Sequence, residues 1–163
     1  DAIDTDLAAN VTKHGWAVMA IPADESSAGW AFTVGLWHTY RAPELAIFGL
    51  DSTVARDCLN TIGDQVQAGR VPAAGDELAD VLTNGYVVAL RPVDEGWRKA
   101  FLGASVGYYR ATGPPVPYLQ VLWPDRAGKY PGDNDFAVQL AETQPQLWLP
   151  HDAHPPGPWT AQV

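Results

Sequence analysis

The chain of 163 residues has ten basic and nineteen acidic residues, a net charge of −9, with 47% hydrophobic and 18% charged residues. This composition is typical of one folded globular domain and excludes general disorder. The negative charge repels phosphate backbones and anionic bilayers, so we expect neither nucleic acid nor membrane as a partner. No stretch approaches the roughly 18 apolar residues of a membrane span, and no charged-then-apolar leader opens the chain, so a cytoplasmic protein is expected.

The first third of the chain contains one helix signal followed by three strand signals. A short N-terminal helix is expected to end near His14, where Gly15 offers a stop. Apolar segments at 16–21, 30–37 and 44–50 are separated by polar turns. They predict strands that build a meander.

The clearest amphipathic helix follows, with Ser52 as its predicted cap and Gly69 after its last turn. Its apolar face is formed by residues four apart, namely Val54, Cys58, Ile62 and Val66. Cys58 is the single cysteine and forms no internal disulfide, so we expect a buried, unreactive thiol.

The second half alternates strands and helices again. Strands are predicted at 86–93 and 118–123, with a helix beginning near Asp94 and continuing to about Tyr108 between them. The second strand follows a Pro-rich turn at 113–117. A short helix is predicted at 134–143.

These elements predict an α+β fold, because the first strands are joined by links too short for parallel crossovers. We expect a bent antiparallel sheet or a split-barrel-like core with three to four helices packed on it. Residues 1–149 would form a single domain, and residues 150–163 a Pro-rich tail that is loosely attached.

An ordered set of short motifs runs through the chain: His14-Gly15-Trp16, Phe32-Thr33-Val34-Gly35-Leu36, Pro43-Glu44-Leu45, Trp97, Tyr109-Arg110 and Gln120-Val121-Leu122-Trp123-Pro124-Asp125, with Gly128 and Pro131 after the last. The set resembles a bacterial family catalogued as domain of unknown function 4262. The resemblance covers about residues 11–149. It implies no activity and assigns no catalytic role.

The segment around Thr33 is also similar to the split β-barrel of flavin reductases, in which a Thr or Ser strand and the following loop hold the flavin phosphate. Arg41 and Arg56 are the basic residues that would serve such a phosphate. Because these are the only two such residues near Thr33, flavin binding is a minor alternative. We mainly expect that the chain uses no cofactor.

Two histidines are the candidate acid–base residues. His38 lies in a polar turn between two apolar strands, where it is either a catalytic imidazole or an exposed turn residue. His14 is either a second catalytic imidazole or a histidine that stabilises a helix end. His151 and His154 form a His-x-x-His pair in the Pro-rich tail, which lacks the rigid helix or turn that metal ligands need, so we expect no metal site.

Glu44 and Asp125 are the candidate carboxylates that would orient an imidazole. Each has a structural alternative. Glu44 would instead bond backbone N–H groups of the turn, and Asp125 would form an Asx-turn over the residues after it.

Aromatic residues gather around the motifs, which suits a pocket for a flat or apolar ligand, with ordinary core packing as the alternative. Gln120 lies inside a predicted strand, so its amide is either satisfied by protein groups or directed into a polar cavity. The candidate ligand-binding residues are Trp30, Phe32, Thr33, Trp37, Tyr40, Tyr108, Gln120 and Trp123.

Three classes of function fit these observations. The leading hypothesis is a small-molecule-binding domain acting as a metal-free, cofactor-independent acid–base enzyme of cyclase, isomerase or hydrolase type in bacterial specialised metabolism. Whether it is an enzyme at all stays open. The second is an acidic, immunity-like protein-binding module that uses the acidic loops at 24–25 and 76–80. The third is a flavin-binding split-barrel protein, and a homodimer is compatible with all three.

Overall fold

A computed structural model describes residues 2–111 and 115–163, without the side chains of residues 2–4. The described α-helices are α1 Ala2–His14, α2 Leu36–Tyr40, α3 Ser52–Gln67, α4 Glu95–Phe101 and α5 Gly103–Tyr108. The described strands are β1 Ala17–Ile21, β2 Trp30–Val34, β3 Glu44–Phe48, β4 Glu77–Leu78, β5 Val88–Pro92 and β6 Tyr118–Leu122. Short 3₁₀ turns occur at Thr83–Gly85, Val138–Leu140, His151–Ala153 and Thr160–Gln162.

The six strands form one open sheet in the order β1-β2-β3-β6-β5-β4. The predicted meander of β1, β2 and β3 is antiparallel, with Ala17 opposite Val34 and Trp30 opposite Phe48. The fold is therefore α+β, as predicted. The sheet is open and does not close into the split-barrel-like core that was the alternative. The sheet is mixed rather than antiparallel, because β3 and β6 are parallel. The segment between these two strands is long enough for a crossover.

The sheet is covered on both faces. Helix α3 packs on one face through alternate strand residues such as Leu45 and Ile47. Helices α1, α4 and α5 pack on the other face, against residues such as Phe32, Ala46 and Phe48. This alternation along β3 follows from the period of two in a strand, and it separates two hydrophobic clusters.

Helix α3 has the predicted buried face at Cys58, Ile62 and Val66. Val54, also predicted on this face, is 44% exposed, because the first turn buries Ala55 instead. The cap is one residue earlier than predicted, because the side chain of Asp51 accepts the N–H of Thr53. Trp16 packs against this helix where a Cβ on Gly63 would lie 2.5 Å from its ring. Its Nε1 donates to Asn60 at 3.0 Å.

Three local predictions are wrong. The strand predicted at 30–37 ends at Val34, and the next residues turn into α2, which contains His38. The helix predicted from Asp94 is divided into α4 and α5 at Leu102. The helix predicted at 134–143 is a set of turns with only one short 3₁₀ segment. Of the predicted Pro-rich turn at 113–117, residues 113 and 114 lie outside the described residues.

The C-terminal segment 150–163 is packed on the molecule, so the prediction of loose attachment is also wrong. The side chain of Trp159 is only 2% exposed and its ring contacts Phe48 and Phe101, with centroids 5.2 and 5.7 Å away. Its Nε1 donates to the carbonyl of Glu142 at 3.1 Å. One buried tryptophan therefore attaches a segment whose proline content alone indicated irregular structure.

Candidate functional site

The carboxylate of Glu44 is fully buried at the start of β3 and accepts hydrogen bonds at both oxygens. The hydroxyl of Thr33 donates to Oε1 at 2.8 Å. The backbone N–H groups of Gly35, Leu36 and Trp37 donate to the same carboxylate at 2.9, 3.2 and 3.3 Å. A helix N-terminus leaves such N–H groups without intrahelical partners, so Glu44 caps α2. The predicted alternative, bonding to backbone N–H groups, is confirmed.

Tyr109, just after α5, completes this network. Its hydroxyl donates to Oε2 of Glu44, and its oxygen accepts the N–H groups of Gly35 at 3.2 Å and His38 at 3.1 Å. We call Thr33, Glu44 and Tyr109 the carboxylate clasp. Burial and the charge of Glu44 raise the pKa of the Tyr109 phenol, so this group stays a hydrogen-bond donor at neutral pH.

The pH dependence of stability is expected to show how Glu44 titrates. Burial raises the pKa of its carboxyl above the ordinary value of 4.5, against the opposing hydrogen bonds from Tyr109 and Thr33. Folding therefore favours the protonated form, and the part of the stability that comes from binding this proton is complete below pH 4.5 and lost as pH rises through the raised pKa.

Glu44→Gln does not titrate, so the unaltered chain should lose stability relative to this variant as pH rises above 4.5. Urea unfolding of both proteins at several pH values measures the difference and cancels the other titrating groups. If the unaltered chain instead gains relative stability with rising pH, hydrogen bonding outweighs burial and the folded pKa lies below the ordinary value.

An open groove of about 480 Å³ lies where the end of α1 meets α2. Its described lining comes from the last turn of α1, from α2 and from the end of α3: Val11, Thr12, Lys13, His14, Gly15, His38, Thr39, Tyr40 and Gln67. We call it the imidazole groove. It brings together the two predicted acid–base histidines, both solvent-exposed. Volumes of about 300–1,000 Å³ are usual for small-molecule sites.

Two glycines allow the elements that carry these histidines to approach closely. Gly15 has φ +94°, and a Cβ there would lie 2.9 Å from the hydroxyl of Tyr40. Gly35 has φ +114°, and a Cβ there would lie 2.8 Å from Val11. The hydroxyl of Thr39 also donates to the Gly15 carbonyl at 2.6 Å. Both positions therefore favour glycine through their backbone conformation, and a side chain at either would require Tyr40 or Val11 to move.

Glu44 is not among the described lining residues of this groove and forms no described hydrogen bond with an imidazole. It acts on His38 through the backbone, because Tyr109 bonds both Glu44 and the His38 N–H. The ring of His38 packs edge-on against Tyr108, with centroids 6.0 Å apart. The geometry makes Glu44 a residue that positions α2 rather than one that orients a ring.

Asp125 lies beyond the C-terminal end of β6, whereas Glu44 is paired with Tyr118 at its N-terminal end. The Asp125 carboxylate accepts the N–H groups of Ala127 and Lys129, each at 2.9 Å, which is the predicted Asx-type turn. These hydrogen bonds hold the pKa of Asp125 below its usual value. It lines a separate cavity of about 600 Å³ and does not join the two histidines.

The predicted ligand-binding residues are spread over the molecule. Trp30 belongs to an aromatic cluster with Phe48 and Trp159, and Phe32 is buried in the core. Thr33 belongs to the clasp. Tyr40 is the member of the set that lines the imidazole groove.

The other members lie outside the groove lining. Gln120 donates to the carbonyl of Pro145 at 2.7 Å and accepts the N–H of Leu147 at 3.0 Å, so protein groups satisfy its amide. Trp37 lies under the guanidinium of Arg41. The remaining two are Tyr108, which packs on His38, and Trp123, which donates to the carbonyl of Phe48.

The residues suggested for a flavin phosphate are engaged with the protein. The Thr33 hydroxyl donates to Glu44 and accepts the N–H of Leu45. Arg41 and Arg56 donate to backbone carbonyls. Among the described residues there is also no group of three His, Cys, Asp or Glu side chains placed to hold a metal ion.

The histidine pair of the C-terminal segment has a packing role. The rings of His151 and His154 lie 5.1 and 5.2 Å from the ring of Trp97. Nε2 of His154 accepts the N–H of Gln146 at 2.9 Å. This hydrogen bond uses the nitrogen lone pair that a metal ion would need.

Sequence reasoning missed Tyr109 as a partner of Glu44, and it missed Lys13 and Gln67 in the groove. The Tyr-Arg motif was the available signal for Tyr109. No local pattern indicates Gln67, because its place follows from the packing of α3 on β1 and β2.

Comparison with known proteins gives one family. A family model described as a domain of unknown function (DUF4262) matches residues 10–137. Neither the curated proteins nor the solved structures contain a match to this chain. None of the described helices is long and apolar enough to cross a membrane. Residues from four of the family-like motifs meet at the clasp and the groove, namely Gly15, Thr33, Gly35, Glu44 and Tyr109.

Proposed function

We propose that this chain, which belongs to the DUF4262 family, binds a small molecule in the imidazole groove and transforms it by acid–base catalysis through His14 and His38. The observation that supports this most is that two histidines from different helices share one groove of ligand size. A neutral imidazole has one donor and one acceptor nitrogen. Two of them can therefore remove a proton from one atom of a ligand and deliver a proton to another.

The clasp supports this proposal by fixing the helix that carries one of the imidazoles. Glu44 holds the first turn of α2, and Tyr109 holds the His38 N–H. A fixed backbone and the edge-on contact with Tyr108 limit the positions that the His38 ring can take, and a limited set of positions favours proton transfer. Isomerisation, cyclisation and hydrolysis all use such transfers. A cytoplasmic setting in bacterial specialised metabolism belongs to the same proposal.

The alternative of an acidic, immunity-like protein-binding module has less support. Carboxylates of both acidic loops bond to their own chain: Asp24 accepts the N–H of Ser26, Asp76 that of Ala73, and Asp80 pairs with Arg70 at 3.0 Å. Such side chains are partly committed to loop structure. We therefore favour the small-molecule site.

The proposal is tested by screening a library of small metabolites by ligand-observed NMR and assaying each binder for turnover. His38→Gln and His14→Gln should lower turnover by about 10²- to 10⁴-fold, because each removes a proton-transfer group, while binding changes far less. His151→Gln is the matched control, since it removes an exposed imidazole outside the groove. The proposal fails if no compound contacts the groove, or if both groove variants turn over as fast as the control.

A further inference from the structure

We infer that the imidazole groove takes an anionic group, a carboxylate or a phosphate, of the small molecule it binds; this inference rests on the function proposed above. None of the described lining residues is Asp or Glu, although the chain contains nineteen acidic residues. The lining instead includes Lys13, His14 and His38. A strongly acidic chain therefore has a groove whose ionisable lining groups are nitrogen bases and one tyrosine.

The nitrogen groups of this groove have unused hydrogen-bonding capacity. The ammonium of Lys13, the two imidazoles and the amide of Gln67 have no hydrogen bond or ion pair with the described residues. The described ion pairs lie elsewhere, at Arg70–Asp80 and Lys129–Asp135. An anion with two or three oxygens can accept several of these donors together, and charge-assisted hydrogen bonds are the stronger kind.

Three effects oppose an anion in this place. The buried Glu44 carboxylate is bonded to α2, but five hydrogen-bond donors engage its oxygens. The C-terminus of α1 has a partial negative charge of about half a unit. Its carbonyl groups are partly paired, however, because Val11 accepts the Gly15 N–H at 2.8 Å and Gly15 accepts the Thr39 hydroxyl. The net charge of −9 also repels anions, but physiological salt screens it beyond about 8 Å. The full charge of Lys13, with the adjacent imidazole donors, should therefore prevail locally.

The test uses inorganic phosphate and succinate as separate probes, with ethylammonium as a cationic control, followed through the imidazole NMR signals. Both anions, or one of them, should shift the signals of His14 and His38 and leave those of His151 and His154 unchanged. The stronger anion identifies phosphate or carboxylate as the preferred group. Lys13→Gln should weaken its binding about three- to tenfold. Lys99→Gln is the matched control, because Lys99 is also exposed in the last turn of a helix.

The inference is overturned if neither anion shifts the groove imidazoles, if all four histidines shift equally, or if Lys13→Gln binds like Lys99→Gln. The library screen separates this failure from failure of the proposed function. Neutral or cationic compounds that occupy the groove and turn over would leave the catalytic proposal standing and refute the anionic ligand. A groove that binds neither the anions nor any library compound would refute both.

Discussion

Replacing Glu44 by alanine is expected to lower the free energy of unfolding by about 3–5 kcal/mol. The change leaves the N–H groups of Gly35, Leu36 and Trp37 and the hydroxyls of Thr33 and Tyr109 without the oxygens they now bond. Small domains are stable by only about 5–15 kcal/mol, so this loss is a large part of the total. Urea unfolding followed by circular dichroism measures it.

Two further variants test whether the loss of stability in Glu44→Ala comes from the hydrogen bonds of the clasp. Glu25→Ala removes a carboxylate from an exposed loop and should change stability by no more than about 0.5 kcal/mol. Tyr109→Phe removes one clasp hydroxyl and should cost about 1–3 kcal/mol, because the His38 N–H loses its acceptor. A loss for Glu44→Ala no greater than that for Glu25→Ala would show that the buried carboxylate does not stabilise α2.

Elements whose signals are local could be predicted from the sequence. The four-residue spacing of α3 predicted both of its ends to within about a turn and its buried face at every named residue but Val54, because its buried residues repeat regularly along one helix. The strand pairs β1–β2 and β2–β3 were also accessible, since short links between apolar segments favour hairpins. Helix α3 and these strand pairs are formed by residues that are close together in the sequence.

Elements stabilised from a distance could not be predicted. Helix α2 has only five residues, and its cap, Glu44, follows it in the chain instead of preceding it. A helix so short has little stability of its own, so its sequence reads as a turn. The parallel pairing of β3 with β6 likewise joins two strands that are far apart in the sequence. No local pattern contains that information.

The candidate site shows the same division. His14 and His38 were each identified by residue type and surroundings, but their meeting in one groove depends on Gly15 and Gly35 in left-handed backbone conformations. Glu44 was identified as a carboxylate opening a buried strand. Its partner Tyr109 is 65 residues away, so only the fold reveals the clasp.

Trp30, which was expected to line a ligand pocket, is instead part of a packed aromatic cluster in the core. Trp30 stacks on Phe48 at 5.8 Å and meets the ring of Trp159 edge-on at 6.1 Å. The indole of Trp159 therefore occupies the space beside Trp30 that a flat ligand would need. At Trp30, the contact that the sequence suggested for a small molecule is therefore made by a residue of the C-terminal segment.

Trp159→Ala is therefore expected to destabilise the fold by about 3–5 kcal/mol, the usual cost of removing a buried tryptophan. Val163→Ala, in the same segment but at a residue 52% exposed, should change stability by no more than about 0.5 kcal/mol. Thermal and urea unfolding measure both. Added indole should fill the cavity and raise the melting temperature of Trp159→Ala while leaving the unaltered chain unchanged. Equal, small effects of the two substitutions would contradict a structural role for the segment. The response to indole tests separately whether the side chain of Trp159 alone fills the space beside Trp30.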